Sequence, residues 1–345
     1  MTLIRTLLLA GALAAAAACA HAAPAPVITA SGALQGVEAA GVVSYKGIPY
    51  AAAPVGDLRW RPPGPAPHWQ GVRAADRYGN MCMQNVPPNT AWGDIPTSED
   101  CLYLNVWRPA AVSAPLPVMV WIHGGGFNIG ASSWPQTEGS SLARRGVMLV
   151  ELNYRMGKFG FFAHPALTKE NPNGELGNYG LMDMIAALKW VKANAAAFGG
   201  DPANVTVFGE SAGGMAVNFL MESPDARGLF QKAMVESGGG RNGFASFTEA
   251  EAAGAAAAQA WGVTGDDPTA LRAIPAKTVL GSASIGGGGA SPMIDGKVVP
   301  EPIMAAFTAG HIAHVSYVIG SNAYEIGLFP GMADSTAIPG NSPIS

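Results

Sequence analysis

The sequence predicts an α/β fold, a mostly parallel central sheet flanked by helices, and three observations predict it. Short continuous apolar runs recur along the chain, as strands buried on both faces require. Segments with helical patterning alternate with them, which is the order of strand–helix–strand units. Between one such strand and the next helix stands Gly209-Glu210-Ser211-Ala212-Gly213, a G-x-S-x-G turn in a strand–turn–helix setting.

The strands come first. Val118 to Ile122, Val147 to Leu152, Val205 to Phe208 and Val315 to Ile319 are apolar runs, and Lys232 to Val235 reads as a fifth. The clearest helix runs from Leu181 to Phe198, with Leu181, Ile185, Leu188 and Val191 on one face. Gly199-Gly200 stop it and Pro202 prevents continuation. Met215 to Met221 is the core of a second helix, and Ala250 to Trp261 is an Ala-rich third. The Gly286 to Gly289 run lacks the Lys-Ser/Thr ending of a phosphate loop. No internal repeat and no second domain boundary is visible, so 23–345 reads as one domain. Thr248 to Pro292 looks like an insertion over the core.

Composition bounds the function. Of 345 residues, 49% are hydrophobic and 13% charged, which suits a large buried core and not a disordered chain. The net charge is -4 with no basic block, which argues against a nucleic-acid partner. Residues 1–22 read as a signal peptide. Arg5 gives a positive start, Leu7 to Ala20 is an uncharged apolar run, and Ala20-His21-Ala22 has the small-x-small pattern of a cleavage site. The run is too short to span a bilayer, so no transmembrane segment is expected in the mature chain. A secreted or periplasmic location follows; lipid anchoring through Cys19 is the alternative. Export leaves Cys82 and Cys101, an even pair expected to form a disulfide, with two free thiols as the alternative.

The chemistry sits in two glycine-rich turns. In the first, the glycines around Ser211 permit a bend too tight for side chains, which presents the serine at the end of a strand. The Ala212 N–H then points at the reacting carbonyl. In the second, His123-Gly124-Gly125-Gly126-Phe127 follows the strand ending at Ile122. Successive glycines let backbone N–H groups face a substrate, which makes the second half of an oxyanion hole. His123 reads as a structural residue that holds this loop, not as the catalytic base. No metal or cofactor is expected. Phe127, Trp134 and Phe162 are candidates for an apolar gorge, with core packing the default.

Taken together these segments resemble the type-B carboxylesterase family, which also contains the cholinesterases. The resemblance runs from about Gly32 to Phe329. It rests on Tyr45-Lys46-Gly47-Ile48-Pro49-Tyr50-Ala51, then Ser98-Glu99-Asp100-Cys101-Leu102-Tyr103-Leu104-Asn105-Val106, then the glycine loop. Asn153-Tyr154-Arg155, Gly177-Asn178-Tyr179-Gly180-Leu181 and Phe198-Gly199-Gly200-Asp201-Pro202 follow, and the serine turn comes last. The resemblance implies an α/β-hydrolase fold and a serine esterase acting on a small-molecule ester. It implies that Ser211 is the nucleophile and that Gly125, Gly126 and Ala212 supply the oxyanion-hole donors. It also implies a Cys82–Cys101 disulfide, an Arg59–Glu99 ion pair that pins the early loop, and Glu325 as the triad acid. Glu325 lies just after the strand ending near Ile319, where such an acid belongs.

The family order is serine, acid, histidine, and none of the six histidines follows Glu325. The sequence therefore reads as a family member with its C-terminal part missing, and part of the sheet and its far edge are expected to lack cover. Loss of the serine or the histidine of a serine protease costs about 2 × 10⁶ in kcat. An inactive chain is accordingly one expectation, and a non-catalytic carboxylesterase-like binding protein is the alternative function. The retained Ser211, Gly125, Gly126 and Glu325 oppose that alternative, since adhesion has no physical use for them. An amide or lactone substrate is a further alternative, because the same site serves acyl transfer generally. Which ester is bound, and the oligomeric state, are not legible in the sequence.

Overall fold

The computed structural model describes residues 24–86, 95–171, 174, 176–239, 243–281, 290–322 and 325. The expected signal peptide, the 286–289 glycine run and the tail 330–345 lie outside the described residues.

An eight-stranded sheet organises the chain. Its order is Ser316–Gly320, Lys232–Glu236, Gly200–Glu210, Leu116–Ile122, Met148–Leu152, Tyr103–Pro109, Val42–Pro49 and Val37–Ala39. The first five strands run parallel, and the last three pair antiparallel at the N-terminal end of the order. Each of the five apolar runs is a strand of the parallel part. The strand Gly200–Glu210 begins earlier than its apolar run because its pairing shifts register between Gly200 and Val205, where Pro202 sits.

The main core fills one face of this sheet. Val118, Val120, Ile122, Val150, Leu152, Val205, Val207 and Val235 point into it. They meet helix Tyr179–Asn194, buried on nearly all sides, and helix Ala212–Glu222. Each such aliphatic side chain contributes about 1.5–3 kcal/mol by leaving water. The long helix ends at Asn194 and passes into a 3₁₀ turn, Ala195–Phe198, closed by Gly199 at φ 84°. The Ala-rich helix spans Phe247–Ala260 and starts with a capping box between Ser246 and Glu249.

The expectation that Val118 to Ile122 is buried on both faces needs correction. Val118, Val120 and Ile122 are buried, but Met119 and Trp121 on the opposite face are only half-buried. That face carries a smaller cluster of Trp107, Leu149 and Phe208, over which the four-residue helix Ser140–Ala143 packs. At the sheet edge Val318 is 58% and Ile319 57% exposed.

Helix Ala212–Glu222 ends on an unusual residue. Glu222 is buried, and neither carboxylate oxygen has a partner among the described residues. Burial, then the charges of Glu301 and Asp295, push its pKa up to about 8. The unfolded chain releases this proton near the ordinary value, the folded chain only near 8. Stability linked to Glu222 is therefore full at low pH and falls as pH rises from about 4.5 towards 8. Denaturant unfolding at pH 5 and pH 8 checks this: Glu222→Gln loses less stability than the parent chain over that interval.

Candidate active site

Ser211 sits between strand Gly200–Glu210 and helix Ala212–Glu222 at φ 55° and ψ -121°. A non-glycine residue there is strained, and such strain persists only where the surroundings over-determine it. Two hydrogen bonds and two flanking glycines do so. The Ser211 N–H donates to the Glu236 carbonyl of the neighbouring strand at 2.9 Å, and the Met215 N–H donates to the Ser211 carbonyl at 2.9 Å. The flanking glycines let the backbones close up. A Cβ on Gly213 would stand 2.0 Å from the Ile122 carbonyl oxygen, and one on Gly209 would stand 2.6 Å from the Gly213 carbonyl carbon. Ser211 itself is half-buried and Ala212 buried, so the bend is tight but the serine is not sealed in packing.

The glycine loop lies directly against this bend. A Cβ on Gly124 would stand 2.8 Å from the Glu210 carbonyl oxygen and 3.2 Å from Ser211 Cβ. Gly125 is half-buried and Gly126 exposed, at φ 100° and 63°. The loop is held from behind. Asn128 and Ile129 N–H groups both donate to the Gly125 carbonyl at 3.1 Å, and the Gly157 N–H donates to the Phe127 carbonyl at 2.7 Å. Asn128 Nδ2 donates to the Gly126 carbonyl at 2.6 Å. Among the described residues, the N–H groups of Gly125, Gly126 and Ala212 have no backbone or side-chain acceptor.

His123 is buried, with Nδ1 2.9 Å from the Gly124 carbonyl oxygen. Its ring stacks on Tyr154 with centroids 4.4 Å apart, and the Tyr154 hydroxyl donates to the His123 carbonyl at 3.0 Å. Burial, opposed by the Gly124 contact, lowers its pKa to about 4, so the ring is neutral at pH 7. A neutral ring of this kind donates from Nδ1 and fixes the loop, as the sequence leads one to expect.

Glu325 lies five positions after the edge strand Ser316–Gly320. Its carboxylate accepts from the Ser237 hydroxyl and from the Asn322 N–H. These bonds, the Ser237 one foremost, hold its pKa below the ordinary value. Ser237 is itself at φ 50°, with its N–H donating to the Gly320 carbonyl at 2.7 Å. Its part in placing Glu325 is a long-range contact that the sequence does not reveal.

The remaining expected pairs are present. Cys82 and Cys101 are disulfide-bonded. Arg59 meets Glu99 through Nε and Nη2 at 2.6 and 2.5 Å, while its Nη1 donates to the carbonyls of Arg272 and Ile274. Arg272 in turn grips Glu170 through two nitrogens, at 2.9 and 2.7 Å. A third fork joins Arg155 to Asp183. No sequence pattern points to the partners Asp183, Arg272 or Glu170. Phe127 and Phe162 are buried in packing, against Phe161 and Trp60 respectively, which bears out the core default. Among the described residues no cluster suits a metal ion, and no helix is long and apolar enough to cross a membrane.

Comparison with known proteins gives the setting. A family model described as the carboxylesterase family matches residues 23–341. The chain is 44% identical over 307 residues to a fumonisin B1 esterase of Sphingopyxis macrogoltabida, covering 86% of this chain and 55% of that protein. It is 42% identical over 317 residues to a para-nitrobenzyl esterase of Bacillus subtilis, covering 88% of this chain and 63% of the other. Among solved structures, a Geobacillus stearothermophilus carboxylesterase superposes with TM-score 0.79 at 41% identity, covering 88% of this chain and 62% of the other. The chain thus spans less than two thirds of the length of these relatives.

Proposed function

This chain belongs to the carboxylesterase family, and from that premise we propose that it hydrolyses small-molecule carboxylic esters through an acyl-enzyme on Ser211. The observation that carries the proposal is the strained serine, half-buried, against a loop whose Gly125 and Gly126 amides have no acceptor among the described residues. The Ser211 oxygen attacks the ester carbonyl carbon, and the carbonyl oxygen takes on negative charge. The N–H groups of Gly125, Gly126 and Ala212 receive that charge. Each such donor is worth roughly 3–4 kcal/mol in the transition state when it is aimed at the oxyanion rather than the ground-state carbonyl. The alcohol leaves, and water releases the acid from Ser211. Glu325 takes the place of the triad acid, with its lowered pKa keeping it ionised at pH 7.

Several features support the wider reading. The relatives named as a fumonisin B1 esterase and a para-nitrobenzyl esterase favour an organic ester as substrate. The segment 1–22 is proposed to direct export, and the Cys82–Cys101 disulfide suits an oxidising compartment. Residues 23–345 are proposed to act as one catalytic domain.

The test is hydrolysis of p-nitrophenyl acetate and butyrate by this chain and by Ser211→Ala. The expected result is turnover that the substitution abolishes. Equal rates in both, with both proteins folded, would overturn the hydrolase reading and leave a binding protein in its place.

A further inference from the structure

The loop that carries Gly125 and Gly126 is held from outside by one buried side chain. Gln84 is 3% exposed and lies two residues after the disulfide-bonded Cys82. Its Oε1 accepts from the Gly130 N–H at 2.9 Å, and its Nε2 donates to the Gly130 carbonyl at 2.8 Å. Nε2 also donates to the Cys82 carbonyl at 3.1 Å. These partners fix which way the amide faces, since an N–H only donates and a carbonyl only accepts. Gly130 is buried, and among the described residues its N–H and carbonyl bond to no other group.

Gln84 thereby holds the peptide group on which Gly125 leans. The Ile129–Gly130 peptide is planar and trans, so the Ile129 carbonyl and the Gly130 N–H point in opposite directions. The N–H faces Gln84 and the carbonyl faces Gly125. A Cβ on Gly125 would stand 2.1 Å from that carbonyl oxygen. The Ile129 N–H also donates to the Gly125 carbonyl at 3.1 Å. Gly130 packs as closely on the start of the loop, where a Cβ would stand 2.1 Å from His123 Nδ1 and 2.8 Å from the Gly124 carbonyl oxygen. Backbones in such contact move together, so turning the Ile129–Gly130 peptide displaces Gly125.

On this geometry, and resting on the reading of Gly125 as an oxyanion donor beside Ser211, we infer that Gln84 is a positioning residue for ester hydrolysis. It fixes the Gly125 N–H by tying the Ile129–Gly130 peptide to the disulfide-bonded segment. That segment is a firm base. Strand Met81–Cys82 pairs with Thr97–Ser98, and Cys82 is bonded to Cys101. Gln84 acts on the developing charge only through the loop, so its loss weakens hold on the transition state and leaves ground-state binding alone.

The experiment compares the full chain with Gln84→Met and Gln84→Glu on p-nitrophenyl acetate. Ser211→Ala is the background, and each rate is divided by the folded fraction read by circular dichroism. Gln84→Met keeps the length of the side chain and removes both bonding groups. It is expected to lower kcat by about 10–10²-fold at similar KM. That is less than the roughly 10²–10³-fold cost of losing a donor outright, because the Asn128 and Gly157 bonds still hold the loop.

Gln84→Glu separates positioning from bulk. Its neutral carboxyl accepts from the Gly130 N–H and donates to the Gly130 carbonyl, whereas its ionised form has no donor. The ratio of its kcat to that of the parent chain is therefore expected to fall as pH rises from about 5 to about 8, where a buried carboxyl titrates. The Gln84→Met ratio is expected to stay level over that range, in which His123, with its pKa lowered to about 4, remains neutral. The pH comparison lies within one variant and does not require Gln84→Met to fold. An unchanged kcat in folded Gln84→Met, a loss confined to KM, or a level ratio in Gln84→Glu would overturn the inference and leave the hydrolase reading standing. Turnover by the parent chain equal to that of Ser211→Ala would overturn the hydrolase reading, and the inference with it.

Discussion

Replacing Asp183 by Ala lowers the stability of this protein by about 3–5 kcal/mol, the cost of leaving a buried charge without its partner. The Arg155 guanidinium binds the Asp183 carboxylate through Nε at 2.8 Å and Nη2 at 2.7 Å, and the Arg155 N–H adds a third bond at 3.0 Å. The side chains are 4% and 0% exposed, so water cannot replace the lost acid. Arg155 also donates to the Arg61 carbonyl at 2.8 Å and lies 5.3 Å from the Tyr179 ring centroid. The pair joins the end of strand Met148–Leu152 to helix Tyr179–Asn194, which packs against the strand that leads to Ser211. Equilibrium denaturation reads the loss. Asp183→Asn keeps the volume and part of the hydrogen bonding, so it loses less than Asp183→Ala. A loss below about 1 kcal/mol in Asp183→Ala, the size seen for exposed pairs, would contradict this account of the junction.

Replacing Gly213 by Ala costs at least about 10²-fold in ester hydrolysis, because a misplacement near 1 Å is enough for that. The new Cβ would stand 2.0 Å from the Ile122 carbonyl oxygen and 2.9 Å from that of His123. Both contacts are with backbone, which cannot swing aside as a side chain can. Relief requires moving the start of helix Ala212–Glu222 away from the glycine loop. That movement separates the Ala212 N–H from those of Gly125 and Gly126. On the proposed role of these donors, which is to hold the transition state, the loss falls on kcat more than on KM. Steady-state kinetics with p-nitrophenyl butyrate checks it. An unchanged kcat in folded Gly213→Ala would mean that the spacing of the two turns is not what matters.

Much of this arrangement is legible in the residues. Apolar runs such as Val147 to Leu152 mark the parallel strands because burial demands continuity. The serine bend and the glycine loop are legible because only glycine tolerates backbones this close, and they recur in a fixed order with their flanking strand and helix. Cys82, Cys101, Arg59 and Glu99 come with the family resemblance.

What escaped is long-range or geometric. Asp183 lies 28 positions from Arg155 inside a helix whose buried polar residues follow no period. Arg272 and Glu170 meet Arg59 and Arg61 across the molecule, and no local pattern encodes such a meeting. Ser237 anchors Glu325 from 88 positions away. The small sheet of Val27–Thr29, Gly32–Gln35 and Val72–Ala74 was also missed, because three- and four-residue strands give too few positions for a period to show.

The reactivity of one side chain decides whether the site works as described. A fluorophosphonate ester reports it, because such a probe bonds to a serine oxygen only where that oxygen is activated and the developing charge is received. Treating the full chain with the probe and locating the adduct by peptide mass spectrometry is expected to give one modification, on Ser211, that is absent in Ser211→Ala. A folded chain whose Ser211 stays unmodified, or is modified no faster than its other serines, would contradict the account.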